Sequence, residues 1–183
     1  MKIRPAIVAA LIGAAGLSVL PALAQTAAPA PRGSLSAEEF ARRDAQAQIF
    51  EIAVSQLILD KSEDQGVRAF AEQMVTAHTA SLEKLRTAAG TMAALLPTAL
   101  DSIQQTTLFR LENISGMKFN LEYMQMQIDG HKAALELNRR YASGGTDPAL
   151  RQYASESVPM IQSHLTMAQQ VRVAPPITPG PKL

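Results

Sequence analysis

Apolar residues recur along most of this chain at steps of three and four, the spacing of one face of an α-helix rather than the two-residue alternation of a strand. Ser36 followed by Glu39 makes a capping box. Phe40, Ala47, Phe50, Val54, Leu57 and Ile58 then predict a first helix reaching about Lys61. The polar break "KSEDQG" leads into a second stripe, Val67, Phe70, Ala71, Met74, Val75, Leu82 and Leu85, closed by Gly90 at a C-cap position. These two predict an antiparallel hairpin. Pro97 bars helix continuation, and Thr98 with Asp101 can start a short helix reaching about Asn113. A long segment follows from Ser115 through Phe119, Leu121, Met124, Ile128, Leu135 and Leu137 to Tyr141, closed by Gly144 and Gly145. Asp147 caps a last helix with Pro148 at its first position, and that helix continues to about Val171.

The connection between the second and third long helices, about 25 residues, is longer than a hairpin loop needs. It can travel back along a helix of about 24 residues, roughly 36 Å at 1.5 Å per residue. The fold expected is therefore all-α, a ferritin-like four-helix bundle with a long crossover carrying a short extra helix. An up-down-up-down bundle with a decorated loop is the competing topology.

The ends of the chain differ from this domain. Lys2 and Arg4 precede the apolar run "AIVAALIGAAGLSVL", and "ALA" at Ala22 to Ala24 has the small-x-small form of a signal-peptidase site. That run is about 15 residues, short of the roughly 20 needed to span a bilayer. Residues 1–24 are thus expected to be a cleaved export signal, with no transmembrane segment after cleavage and a periplasmic location, outer-membrane association included. Residues 25–33 read as a flexible linker, 34–171 as the ordered bundle and 172–183 as a disordered Pro-rich tail. The chain contains no cysteine, which excludes a lipidated N-terminal cysteine, disulfides and thiolate metal sites. Without Lys2 and Arg4 the 17 basic residues become 15 against 16 acidic ones, a net charge of −1. That balance, with no basic cluster, argues against nucleic acid as partner.

The stretches "VRAFAEQMVTAHTASLEKL", "LPTALDS", "ISGMKFNLEY", "GHKAALELNRRYASGGTDPALRQYA" and "VPMIQSHLTMA" resemble, in order and spacing, a bacterial family of unknown function. Its members are ferritin-like envelope proteins, often labelled predicted outer-membrane proteins. The resemblance covers nearly the whole domain and implies a ferritin-like bundle and export, with no established activity to carry over. Ala77 and Gly130 stand where an acidic residue commonly precedes the histidine in that family, and Asn120 replaces an aspartate.

The three histidines, His78, His131 and His164, fall on three different long helices, each in line with an apolar stripe. Glu51 and His78 lie about equally far from the turn near Asp64 and should be level across the first hairpin. His131 lies about 14 residues before the turn near Gly145 and His164 about 19 after it, an offset of about 7 Å. Glu51, His78 and His131 are therefore expected to converge, with His164 one layer away. Imidazole suits copper and zinc, and the Met-x3-His and His-x2-Met spacings add thioethers that favour Cu(I). The competing reading is ordinary packing, since methionine fills irregular cores and an inward histidine can bond a backbone carbonyl.

Other chemistries fit less well. A carboxylate-bridged di-iron site needs Glu-x-x-His on two helices, and no Glu here is followed by His at three. No phosphate loop, nucleophile elbow or cysteine nucleophile is present, so no enzyme is expected. Pro159 should kink the last helix and free the Ser155 carbonyl, with Gln162, Tyr123 or a buried water as its expected partner. The other role considered is that of an envelope interaction module, with Arg42, Arg43 and Asp44 on the surface of the first helix facing a protein partner.

Overall fold

The structure, a computed structural model, describes residues 35–173. The expected signal, the whole of the expected linker and residues 174–183 of the expected tail lie outside the described residues. The described residues form five α-helices: α1 Ala37–Lys61, α2 Gln65–Ala89, α3 Ser102–Glu112, α4 Gly116–Gly144 and α5 Pro148–Gln170. A short 3-10 stretch, Gly90–Leu95, continues from α2. The described residues contain no strand.

The caps follow from local chemistry. The Ser36 side chain accepts from the Glu39 amide, Asp64 from Gly66 and Val67, and Asp147 from Leu150, each satisfying N–H groups that a helix start leaves open. Asp101 and Gln104 form a reciprocal capping box that starts α3. At Gly90 the backbone turns to a φ of 56°, which costs glycine little, and so α2 ends there. At the other end of the first hairpin Arg68 donates to the carbonyls of Leu59 and Ser62, closing the end of α1.

The four long helices pack as neighbouring pairs, α1 with α2 and α4, and α5 with α2 and α4. The connector runs along α1 rather than looping at one end. Within the first half of α1, Gln46 donates to the Ala99 carbonyl and Gln104 donates back to the Gln46 carbonyl. At the end of α1, Lys61 Nζ donates to the carbonyls of Glu112 and Ile114 and sits 4.9 Å from the centre of the Phe119 ring. Those anchors are 15 residues apart on α1, roughly 22 Å of helix. The chain therefore enters α4 at the end where α2 began, leaving α2 and α4 pointing the same way.

Two apolar clusters occupy the ends of the bundle. One gathers Phe40, Leu82, Leu85, Leu96, Tyr141, Leu150 and Tyr153, with Phe40 stacked on Tyr141 at 4.0 Å between ring centres. The other gathers Val54, Ile58, Val67, Phe70, Met74, Leu111, Phe119, Tyr123 and Met124. Between them lies a polar middle. The buried face of α1 explains why: Asp44, Gln48, Glu51 and Ser55 lie on it beside Phe40, Val54 and Ile58. Asp44 is 2% exposed, so it belongs to the core and not to a surface with Arg42 and Arg43, which pair with Glu39.

Helix α5 runs through Pro159 without interruption. Pro159 and Ser155 lie on its exposed side, where water can meet the freed carbonyl. The two expected protein partners are engaged elsewhere, Gln162 with Arg139 and Tyr123 with Ser55. No described helix is long and apolar enough to cross a membrane.

Helix α3 buries only Leu111, so that side chain should carry the docking of the connector. Leu111→Ala is expected to lower unfolding free energy by about 2–5 kcal/mol, the usual cost of a large-to-small change in a core. Ile103→Ala, at an exposed position on the same helix, should change it by less than about 0.5 kcal/mol. Urea titration of the two variants checks the contrast.

Candidate metal centre

Helices α2, α4 and α5 each carry one histidine into the polar middle. The ring centres of His78, His131 and His164 form a nearly equilateral triangle, with separations of 5.5, 5.4 and 5.4 Å. All three are buried, at 5, 1 and 5% exposure, and one ligand-capable nitrogen of each lies within 4.8 Å of the others. His164 is thus in the same layer and not one layer away. Two effects remove the offset expected from counting. Turn residues 145–147 contribute little rise along the bundle, and side chains lean toward the N-terminus of their helix. His131 therefore leans away from the α4–α5 turn while His164 leans back toward it.

Hydrogen bonds select which nitrogens face inward. His78 Nδ1 lies 2.6 Å from Gln48 Oε1, and His131 Nδ1 lies 2.7 Å from the Gln127 carbonyl. The carbonyl oxygens can only accept, so both histidines carry their proton on Nδ1 and leave a lone pair on Nε2. His78 Nε2 is buried with no partner. His131 Nε2 lies 3.4 Å from His164 Nδ1. That is long for a hydrogen bond. It matches the separation of about 3.3–3.6 Å between two ligands that are each about 2.0–2.1 Å from one ion.

Glu51 is placed differently from the histidines. Its Oε2 accepts from Gln127 Nε2 at 2.6 Å, which makes it the partner of a residue that also holds His131. Glu51 reaches toward α4 at Gly130, where an added Cβ would come within 3.1 Å of its Oε1. A glycine at that position leaves room for the carboxyl. Gln48, the partner of His78, also donates to Asp44 Oδ2 at 3.1 Å. Asp44 accepts further from Asn138 Nδ2 at 2.8 Å and from the Tyr153 hydroxyl at 2.7 Å. Asp44, Gln48 and Gln127 were not among the site residues singled out by spacing. The signal for them was the four-residue step from Asp44 to Gln48 and from Gln127 to His131.

The methionines in line with the histidines lie in apolar surroundings. Met74 and Met124 belong to the cluster around Tyr123, Met167 packs at its edge, and Met160 packs on Leu135, Ile161 and Leu165.

The family described as a domain of unknown function, DUF4142, matches residues 22–171. The chain belongs to the DUF4142 family. None of the curated proteins matches it. Among solved structures, the crystal structure of a DUF305 fragment from Deinococcus radiodurans is similar, with a TM-score of 0.62 at 12% identity over 75% of this chain and 97% of that one. At that identity the likeness concerns the helical fold alone.

Electrostatics hold the imidazoles of this DUF4142 domain neutral. Burial is the main cause for all three. It lowers the pKa of His78 well below its ordinary value, with repulsion from His131 and His164 adding to it. It lowers His131 against the opposing bond to the Gln127 carbonyl, and it takes His164 down to about 4 with help from His131. Burial raises Glu51 to about 7, opposed by the bond from Gln127. Neutral imidazole is the form that binds metal.

These shifts fix a sign for stability against pH in the presence of a chelator. A histidine with a depressed pKa binds its proton more readily in the unfolded chain, so its contribution is lost as pH falls from about 6.5 toward 4. Glu51, with a raised pKa, opposes this between about 4.5 and 7 because the folded state holds its proton. Three histidines outweigh one glutamate, so the chelated protein should melt at progressively lower temperature from pH 6.5 to pH 5. Glu51→Gln should steepen that fall. Calorimetry across the range tests both statements, and a Tm that rises on acidification would contradict them.

Proposed function

We propose that this DUF4142 protein is an exported, ferritin-like helical bundle that binds one copper or zinc ion at His78, His131 and His164, without catalysis. The observation that carries the reading is the convergence of three buried, neutral imidazoles, each with a ligand-capable nitrogen within 4.8 Å of the others. The amide oxygens of Asn120, Gln127 and Asn138 are likewise buried without a partner, and leaving His78 Nε2 so costs about 1–3 kcal/mol. A bound ion satisfies it.

The donor set agrees with this choice. Three neutral nitrogens suit copper and zinc, whereas bridging carboxylates are what a di-iron centre uses. Three protein ligands also leave a further coordination position, as in open zinc sites. The connector's run along α1 from Gln46 to Lys61 supports the ferritin-like assignment, because a hairpin loop would have stayed at one end. Export rests on Lys2, Arg4, the apolar run and the "ALA" site.

A second reading, an interaction module in the envelope, draws on the connector and the start of α4. Leu95, Ile103, Phe109 and Leu121 expose more than half of their surface there. Scattered exposed apolar residues are common on monomers, so this reading ranks below the metal site.

Native mass spectrometry of protein isolated without chelator or histidine tag should find one ion per chain after exposure to Zn(II) or Cu(I). His78→Gln combined with His131→Gln should abolish that stoichiometric binding while the fold persists by circular dichroism. Unchanged stoichiometry in the double variant would sink the site. The export proposal has its own check: the intact mass of protein secreted from the full chain should lack residues 1–24, and recovery of the whole chain would contradict it.

A further inference from the structure

Helix α1 is the one long helix that sends no histidine into the cluster, yet it carries two buried carboxyls, Asp44 and Glu51. They lie seven residues apart, close to two turns, and so share one face of the helix. Each reaches a histidine through one glutamine. Asp44 accepts from the Gln48 amide, whose oxygen accepts from His78; Glu51 accepts from the Gln127 amide, and the Gln127 backbone carbonyl accepts from His131. The two routes run to different histidines.

What these carboxyls lack is a positive neighbour. No lysine or arginine is among the buried residues described, so amide and hydroxyl donors are the only groups seen to meet them. Buried charges in proteins are paired or coordinate metals, because an isolated one is expensive to remove from water. The three imidazoles contribute no charge of their own when neutral.

We propose that Asp44 and Glu51 are the counter-charges of the bound ion, and that this pair makes the site select a divalent cation over a monovalent one. The inference rests on the metal reading above and deepens it. Three neutral imidazoles with two carboxylates carry a charge of −2, which a divalent ion cancels and a monovalent ion leaves half compensated in the core. The glutamines transmit the effect without occupying a ligand position. They orient the histidines, as outer partners of metal-binding imidazoles commonly do. Asp44 and Glu51 are in these terms positioning and charge-balancing residues, while the ligands are the histidines.

The test compares Zn(II) and Cu(I) affinities, by competition with chelators at pH 8, in the wild type, Glu51→Gln, Asp44→Asn and the double variant. In Glu51→Gln the new amide keeps an oxygen to accept from Gln127, so that variant removes charge with little change of shape. Each substitution is expected to weaken Zn(II) about tenfold, the low end of the range for losing an outer partner, because a glutamine stands between each carboxyl and its histidine. Cu(I) should weaken by less than about threefold, and its retention also reports that the variant is folded. If the double variant fails to fold, the Zn(II)-to-Cu(I) ratio in Glu51→Gln alone decides. Equal losses for both ions, or unchanged Zn(II) affinity, would overturn the charge-balance role while leaving the histidine site standing. A wild type that binds neither ion would instead overturn the metal reading, and this inference with it.

Discussion

The constraint on which this structure depends is the burial of ionisable groups in the middle of a helical bundle. Three imidazoles and two carboxyls lie between two apolar clusters, and each group removed from water must find a partner or change its protonation. Most of them do find one. Asp44 collects three donors, Glu51 takes the Gln127 amide, and two of the histidines give their Nδ1 protons to oxygens. Among the nitrogens of the triangle, His78 Nε2 is left without a partner, and His131 Nε2 and His164 Nδ1 stand 3.4 Å apart. Imidazoles that converge from three helices, two of them held from outside through Nδ1, have the form of a binding site.

The apolar ends make this polar middle tolerable. Stacked Phe40 and Tyr141 at one end, with Val54, Ile58, Phe70 and Phe119 at the other, supply the burial that a polar layer does not. The connector adds to this by sealing Leu111 against the second cluster while its ends are tied to Gln46 and Lys61. Helices held at both ends can bring nitrogens from three different segments within 4.8 Å of one another. Sites built on helices gain precision in this way.

Much of this was legible in the residues. Caps at Ser36, Asp101 and Asp147, the polar break before α2 and stripes of three- and four-residue period located the five described helices, because those signals are local. The histidines stood out for the same reason, each continuing an apolar stripe. What spacing did not reveal is the inner face of α1. A reading that equates buried with apolar sends Asp44 to the surface beside Arg42 and Arg43, whereas tertiary contacts with Tyr153 and Asn138 bring it inside. The layer of His164 was missed because counting residues from a turn ignores the lean of side chains along antiparallel helices. The 3-10 stretch after Gly90 and the exposed setting of Pro159 likewise depend on neighbours that no short window contains.

The most direct test of the metal centre is X-ray absorption at the metal edge of protein loaded with Zn(II). The first shell is predicted to contain three imidazole nitrogens at about 2.0–2.1 Å, with the multiple-scattering features of histidine rings and no sulfur. A shell with sulfur at about 2.3 Å or longer, or one of oxygens without imidazole scattering, would contradict the three-histidine site.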